Sequence, residues 1–143
     1  MHKELNGPIS TVKPRFRDFD IQGILNSSAF LEIISEVRLE QMETYYKLPM
    51  SEYLSQGQTW IISHYEITFK RPIKYPLSFR VQTQVEEIID ATAKVRFRFL
   101  AEKSNDEYTV GSLIYNLFDM NNKKTISISQ KHADIFLNNK SKD

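Results

Sequence analysis

The segment Arg17-Asp18-Phe19-Asp20-Ile21-Gln22-Gly23-Ile24-Leu25-Asn26-Ser27 sets two carboxylates and a glycine directly ahead of a long helix-forming stretch. A helix start offers backbone N–H groups without intrahelical acceptors, together with the positive end of the macrodipole. A carboxylate held beside such donors can work on a polarised carbonyl, which is the smallest kit for acyl transfer. On the residues alone Asp20 has two readings: it caps a turn or pairs with Arg17, or it acts on a substrate. Asp18 reads as a turn residue or the partner of a basic neighbour. Asn26 either orients a substrate or caps the helix. Ser27 offers its backbone N–H rather than its hydroxyl, and Gly23 allows close backbone approach. Ile24, Leu25, Phe30 and Ile34 make an apolar pocket or plain core.

The rest of the chain adds little chemistry. Glu36 either supports the site from the helix or forms an ion pair with Arg38 or another basic residue. His2, His64 and His132 are scattered, without metal-ligand spacing, and no cysteine is present, so neither a metal nor a cofactor is expected. There is no G-x-S-x-G elbow and no glycine-rich phosphate loop. Lys94, Arg96 and Arg98 alternate along one strand face, as a solvated face or as a ladder for phosphates, and Lys70 and Arg71 raise the same question.

Several elements must position these residues. Residues 9 to 17 alternate loosely and fit a short strand interrupted by Pro14. From Ser27 to about Lys47, Phe30, Ile33, Ile34, Val37 and Tyr45 recur at three- and four-residue steps, with Glu32, Glu36, Arg38, Glu40 and Glu43 largely elsewhere. This predicts one long helix whose wide apolar stripe needs a cover, with Asn26, Ser27 and Ser28 as suitable caps. A polar connector, Ser51 to Gln58, follows.

The period then becomes two. Ile61, Ser63, Tyr65, Ile67 and Phe69 share one face of a strand, opposite Trp60, Ile62 and His64. Phe79 to Val85, Val95 to Phe99 and Val110 to Phe118 alternate likewise, and the turns at 104–107 and 121–124 predict antiparallel neighbours. Ser129 to Leu137 predicts a closing helix with Ala133 and Phe136 inward, before a polar tail at 138–143. The sum is an α+β fold: one antiparallel sheet against one long helix.

At 143 residues, 41% hydrophobic and 26% charged, one domain spanning 1–143 with its core at about 9–137 is expected. A net charge of +1 gives no electrostatic case for nucleic acid. No apolar run is long enough for a membrane span and no secretory leader is legible, so a cytoplasmic location is expected.

The pattern resembles the hotdog fold, and the chain is similar to acyl-CoA thioesterases of the 4-hydroxybenzoyl-CoA thioesterase type. The matching residues are Asp18, Asp20, Gly23, Leu25, Asn26, Phe30, Leu31, Glu32, Glu36 and Arg38, followed by the strand Tyr65-Glu66-Ile67-Thr68-Phe69-Lys70-Arg71-Pro72. The chain departs from the family pattern where a histidine often follows the glycine (Ile24), at the second asparagine (Ser27) and at the helix tyrosine (Phe30). The resemblance implies hydrolysis of a fatty or aromatic acyl thioester, carried by CoA or acyl carrier protein. Asp20 is then general base or nucleophile, and Ser27 the backbone donor to the oxyanion. Gly23, Ile24, Asn26 and Phe30 then contact substrate. A homodimer or homotetramer is also implied. Trp60 and Ile62, opposite the expected core face, and the two-sided apolar strand at 110–118 would meet a partner. Rival readings are a hydratase or dehydratase, which Ile24 and the lack of a helix histidine oppose, and a non-catalytic acyl-binding protein.

Overall fold

A computed structural model describes residues 4–138. A short strand β1 (Ile9–Val12) precedes a 3-10 turn at Phe16–Asp18 and the long helix α1 (Ala29–Thr44). Next come a short helix α2 (Met50–Ser55) and strands β2 (Gln58–Phe69), β3 (Phe79–Ile89), β4 (Thr92–Ala101) and β5 (Glu107–Asp119). A two-residue strand β6 (Lys124–Thr125) and helix α3 (Gln130–Asn138) close the chain. The expected tail beyond Asn138 lies outside the described residues, as do residues 1–3. No helix among the described residues is long and apolar enough to cross a membrane.

The strands form one antiparallel sheet in the order β1-β3-β4-β5-β2, with β6 on β5. β3, β4 and β5 are neighbours through their short turns, as the sequence implies. The expectation fails for β2, which pairs with β5 rather than β3. The connection from Lys70 to Ser78 carries Pro72 and Pro76, and its backbone bonds go instead to the loop before α1: Leu25 N–H to Ile73 O at 2.8 Å and Tyr75 N–H to Gly23 O at 2.8 Å. A segment paired that way cannot close a tight hairpin, so β2 is left at the sheet edge.

The apolar stripe of α1 finds its cover in the sheet. Phe30, Ile33, Ile34 and Val37 form one cluster with Phe79, Val81, Phe97, Phe99 and Leu113. A second cluster joins Met42, Val85, Val95 and Leu117 to Ala133 and Phe136 of α3, which face inward as expected. Gly111 of β5 makes room for this core, because a side chain there would collide with the Phe97 ring and with the Glu66 carbonyl.

Other boundaries differ for physical reasons. β1 stops at Val12, two residues before Pro14, since proline and its predecessor supply poor ladder positions. α1 starts at Ala29 without a side-chain cap: Ser28 is already helical, and it is the Asn26 carbonyl that accepts the Ala29 N–H, at 3.0 Å. At the other end Lys47 turns left-handed (φ 61°), and the helix ends at Thr44 rather than Lys47. The polar connector contains α2, which is too short to show a period; it buries Tyr53.

The faces of β2 also need correction. A bulge between Ile62 and His64 shifts the alternation. Trp60 and Ile62 therefore pack against the two core clusters, as Tyr65 and Ile67 do beyond the bulge, whereas Ile61 is 43% exposed. Trp60 and Ile62 thus face the core side rather than the opposite face, half-buried against it. A similar shift between Val85 and Glu87 turns Ile88 inward and leaves Ile89 exposed.

α1 also buries Arg38, which its sequence pattern assigns to the outer face, together with Gln41. Arg38 Nη1 donates to Thr83 Oγ1 at 3.1 Å, and the Thr83 hydroxyl donates to Gln41 Oε1. Gln41 Nε2 reaches Ser10 Oγ at 3.0 Å and the Pro8 carbonyl at 3.3 Å, tying the helix to β1 and β3. Each buried polar side chain in this seam offsets desolvation with at least one bond. Ile34, fully buried at the middle of the helix face, should be the most sensitive aliphatic position. Ile34→Ala is expected to cost about 2–5 kcal/mol in urea unfolding with unchanged slope. A loss below about 1 kcal/mol would place the helix outside the cooperative core.

Candidate functional site

The loop between the 3-10 turn and α1 is built around Asp20. Its Oδ1 accepts the Gln22 N–H at 2.9 Å and the Ile24 N–H at 3.0 Å. Its backbone bonds Ile24 O and Gly23 N–H, each at 2.9 Å. Gly23 sits at φ 75°, a conformation that side chains with a Cβ rarely adopt, which explains a glycine at the end of this turn. The loop is pinned on its far side by bridges from Ile24 to Lys74 and Phe19 to Leu25, and by edge contacts of the Phe16 and Phe19 rings with Tyr75 at 5.6 and 5.1 Å.

These restraints set Asp20, Ile24, Leu25, Asn26, Ser27 and Phe30 around one cleft of about 440 Å³. The opposite wall is Phe69, Lys70, Arg71, Pro72 and Ile73, from the end of β2 and the chain after it. Phe30 meets Phe69 edge-on, with ring centroids 5.1 Å apart. Five of the six sequence-predicted site residues thus line the cleft. Gly23 does not, and acts on it through the turn. The wall residues were legible as the strand ending in Arg71-Pro72, but nothing in the sequence sets that strand end opposite the Asp20 loop.

The cleft combines three chemical resources. Asp20 is exposed, and both bonds to its carboxylate fall on Oδ1. The Ser27 N–H, just before α1, has no hydrogen-bond partner among the described residues. Lys70 and Arg71 bring positive charge to the rim, although Lys70 is bonded to Glu107 at 2.6 Å and Arg71 lies 5.3 Å from the Tyr108 ring centroid. A carboxylate, a free donor at a helix start and a cationic rim suit attack on a carbonyl whose leaving group is anionic.

The comparison with known families is decisive here: the thioesterase-like superfamily matches residues 14–136. The chain belongs to that superfamily. It is a thioester hydrolase. No match is found among curated protein sequences. Among solved structures it is similar to the DHNA-CoA thioesterase of Staphylococcus aureus (TM-score 0.79, 19% identity, covering 88% of this chain and 83% of that one). It is likewise similar to the 1,4-dihydroxy-2-naphthoyl-CoA thioesterase of Synechocystis (TM-score 0.80, 14% identity, 90% and 93% covered). A third similar structure is a gentisyl-coenzyme A thioesterase (TM-score 0.80, 16% identity, 90% and 99% covered). At these identities the structures share the hotdog fold.

In this thioester hydrolase the remaining predicted residues lie apart from the cleft's centre. Glu36 is exposed beside Arg15 and Arg17, and Arg38 forms no ion pair with it. The ladder on β4 is largely matched by acids: Arg96 with Glu86 at 3.1 Å, Lys94 with the same carboxylate at 3.9 Å, and Arg98 with Glu107 at 3.3 Å. Lys70 and Arg98 together hold the Glu107 carboxyl below its usual range, against the upward push of burial.

Asp18 supports the loop from below. It is buried and accepts Arg15 N–H at 3.0 Å, Nη2 at 3.0 Å and Nε at 3.3 Å. Burial pushes its carboxyl up, but the bonds and charge of Arg15 outweigh that and leave it below the ordinary aspartate value. Because the folded value is depressed, its stabilising contribution is present above the unfolded value of about 3.9 and disappears as pH falls through the folded value. Asp18→Asn is therefore expected to cost about 1–2 kcal/mol at pH 7. The gap from wild type should stay level above about pH 5 and close in acid, as read by thermal unfolding across pH. A gap that widens in acid would remove this role.

Proposed function

We propose that the chain hydrolyses acyl-CoA thioesters in this cleft, with Asp20 as general base or nucleophile and the Ser27 N–H as donor to the oxyanion. The reading rests on one observation above all: the sole exposed carboxylate of the cleft shares it with an unpaired N–H at the start of α1. In the water route, Asp20 takes a proton from a water that adds to the thioester carbon. Charge gathers on the carbonyl oxygen beside Ser27, then the C–S bond breaks, releasing CoA thiolate and the acid. In the nucleophile route, Asp20 itself adds to the carbon, the C–S bond breaks to expel CoA thiolate, and water then cleaves the resulting acyl–aspartyl anhydride to release the acid and restore Asp20. A thiol with a pKa near about 8.5 leaves as thiolate without obligatory protonation, so Ile24 in place of a histidine is compatible with turnover.

Ile24, Asn26 and Phe30 contact the acyl part or its carbonyl, and Gly23 fixes the loop. Arg71 and Lys70 face the CoA phosphates. The acyl group is fatty or aromatic, in keeping with the apolar walls. The chain acts as a cytoplasmic homo-oligomer, a dimer or tetramer, joined through the free edge of β2, where Ile61 and Phe69 stay exposed. An acyl carrier protein in place of CoA, or acyl binding without hydrolysis, are the competing readings.

Asp20→Asn is the informative change, because an amide keeps an Oδ1 acceptor for Gln22 and Ile24 while removing the charge. Thiol release from a panel of acyl-CoAs, followed with a thiol-reactive dye, should fall about 10²–10⁴-fold in kcat with the melting temperature unchanged. The chain has no cysteine to add background. Full activity in that variant sinks the role of Asp20. No thiol release by wild type from any acyl-CoA or acyl carrier protein favours the binding-only reading.

A further inference from the structure

The segments that build the Asp20 loop also hold apolar side chains out into solvent. Ile21, at the tip of the turn from Asp20 to Gly23, is fully exposed, and Phe16, in the 3-10 turn before it, is 78% exposed. Tyr75 and Leu77, on the chain after β2, are each about half exposed. Single exposed apolar residues are ordinary, but these sit on segments tied to one another. The Phe16 ring lies edge-on to Tyr75 at 5.6 Å, and the Tyr75 N–H bonds the carbonyl of Gly23, the last residue of the Ile21 turn, at 2.8 Å. Charge gathers on the same segments. Residues 13–25 and 70–78 hold six of the chain's 19 lysines and arginines but two of its 18 acids, a net +4 in a chain of net +1, which leaves the remainder at −3. Arg15 is engaged by Asp18 and Glu32, Lys70 by Glu107, and Arg71 by Asp106. Lys13, Arg17 and Lys74 are exposed and form no ion pair among the described residues, with Glu36 beside Arg17 in the cleft behind the 3-10 turn.

We propose that this surface docks the protein on an anionic lipid bilayer, with Ile21 and Phe16 entering the interfacial zone while Lys13, Arg17 and Lys74 meet lipid phosphates. A bilayer interface yields around protruding apolar tips and presents negative charge to the cations that ring them. The long stems of lysine and arginine let the charges stay at the headgroups as the tips go deeper. A protein partner would need an apolar recess to fill or to be filled. The cleft beside the tips, of about 470 Å³, is lined mainly by Lys13, Arg15, Arg17, Asp18, Glu32 and Glu36 and offers no such seat. The inference goes beyond the hydrolytic reading of the Asp20 cleft and does not require it. Where both hold, docking sets that cleft, built from the same two segments, next to the surface where amphiphilic acyl thioesters collect.

Wild type should sediment with phosphatidylcholine vesicles that contain phosphatidylglycerol, and added salt should weaken that binding. Ile21→Ser should weaken it about tenfold. Lys13→Gln combined with Lys74→Gln should weaken it about fivefold per charge removed, and on the anionic vesicles alone. All three side chains are exposed, so the melting temperatures should not move. Ile21→Trp reads the contact directly: its emission should shift to the blue on these vesicles and be quenched by brominated lipid, over an unchanged signal from Trp60, the natural chain's only tryptophan, which packs on the core. No sedimentation of wild type with anionic vesicles overturns the proposal, as does sedimentation that Ile21→Ser leaves intact or a tryptophan at position 21 that brominated lipid does not quench. An oligomer that Ile21→Ser dissociates, without vesicle binding by wild type, gives the surface to a second copy and overturns it too. So does an acidic acyl carrier protein that binds wild type but not Ile21→Ser, again without vesicle binding. Vesicle binding needs no thioester, so the two readings fail separately: vesicle binding without thiol release overturns only the hydrolytic reading, and thiol release without vesicle binding overturns only this one.

Discussion

The structure depends on burying one face of α1 against the inner face of the sheet. Phe30, Ile33, Ile34 and Val37 give up their exposure to water against Phe79, Val81, Phe97, Phe99 and Leu113. Each fully buried aliphatic or aromatic side chain contributes on the order of 1.5–3 kcal/mol of transfer free energy. This contact fixes where the helix starts relative to the sheet. Phe30, in the first turn, packs between Phe69, which it meets edge-on, and Phe99, so the end of β2 is brought to the start of α1. The cleft is the space left where those two termini meet.

A polar seam fixes what the apolar contact leaves free. Hydrophobic surfaces resist separation but tolerate sliding, whereas hydrogen bonds demand register. The bonds from Arg38 and Gln41 to Thr83, Ser10 and Pro8 set the helix against β1 and β3 at one rotation and height. Arg38 thus both specifies packing and lines an apolar cavity of about 300 Å³ between α1 and β2.

The proposed chemistry lies on the strip of chain that the core does not consume. The Asp20 loop makes backbone bonds with residues 73–75, and buried Asp18 anchors its base through Arg15. Asp20 spends one oxygen on holding its own loop, which orients the carboxylate without burying it. This combines rigidity with access, and a carboxylate needs both to act on a bound carbonyl.

Much of this was readable in the residues. The long helix, the alternating strands, the inward Ala133 and Phe136, and the carboxylate–glycine loop are local patterns whose period or residue type dictates their conformation. What escaped was whatever depends on the third dimension. The bulge at Ile62/His64 leaves no mark on composition, yet it turns Trp60 and Ile62 inward. α2 is shorter than the window that a period needs. Arg38 looks like surface charge in a helical wheel, because burial of a cation depends on which acceptor sits across from it, here Thr83 from a strand far along the chain. The sequence by itself determined which residues could do chemistry and that they precede a helix; only the tertiary structure decided which strand end faces them, since the β2–β5 pairing that brings Phe69 to Phe30 is a long-range hydrogen-bonding choice that no local pattern encodes.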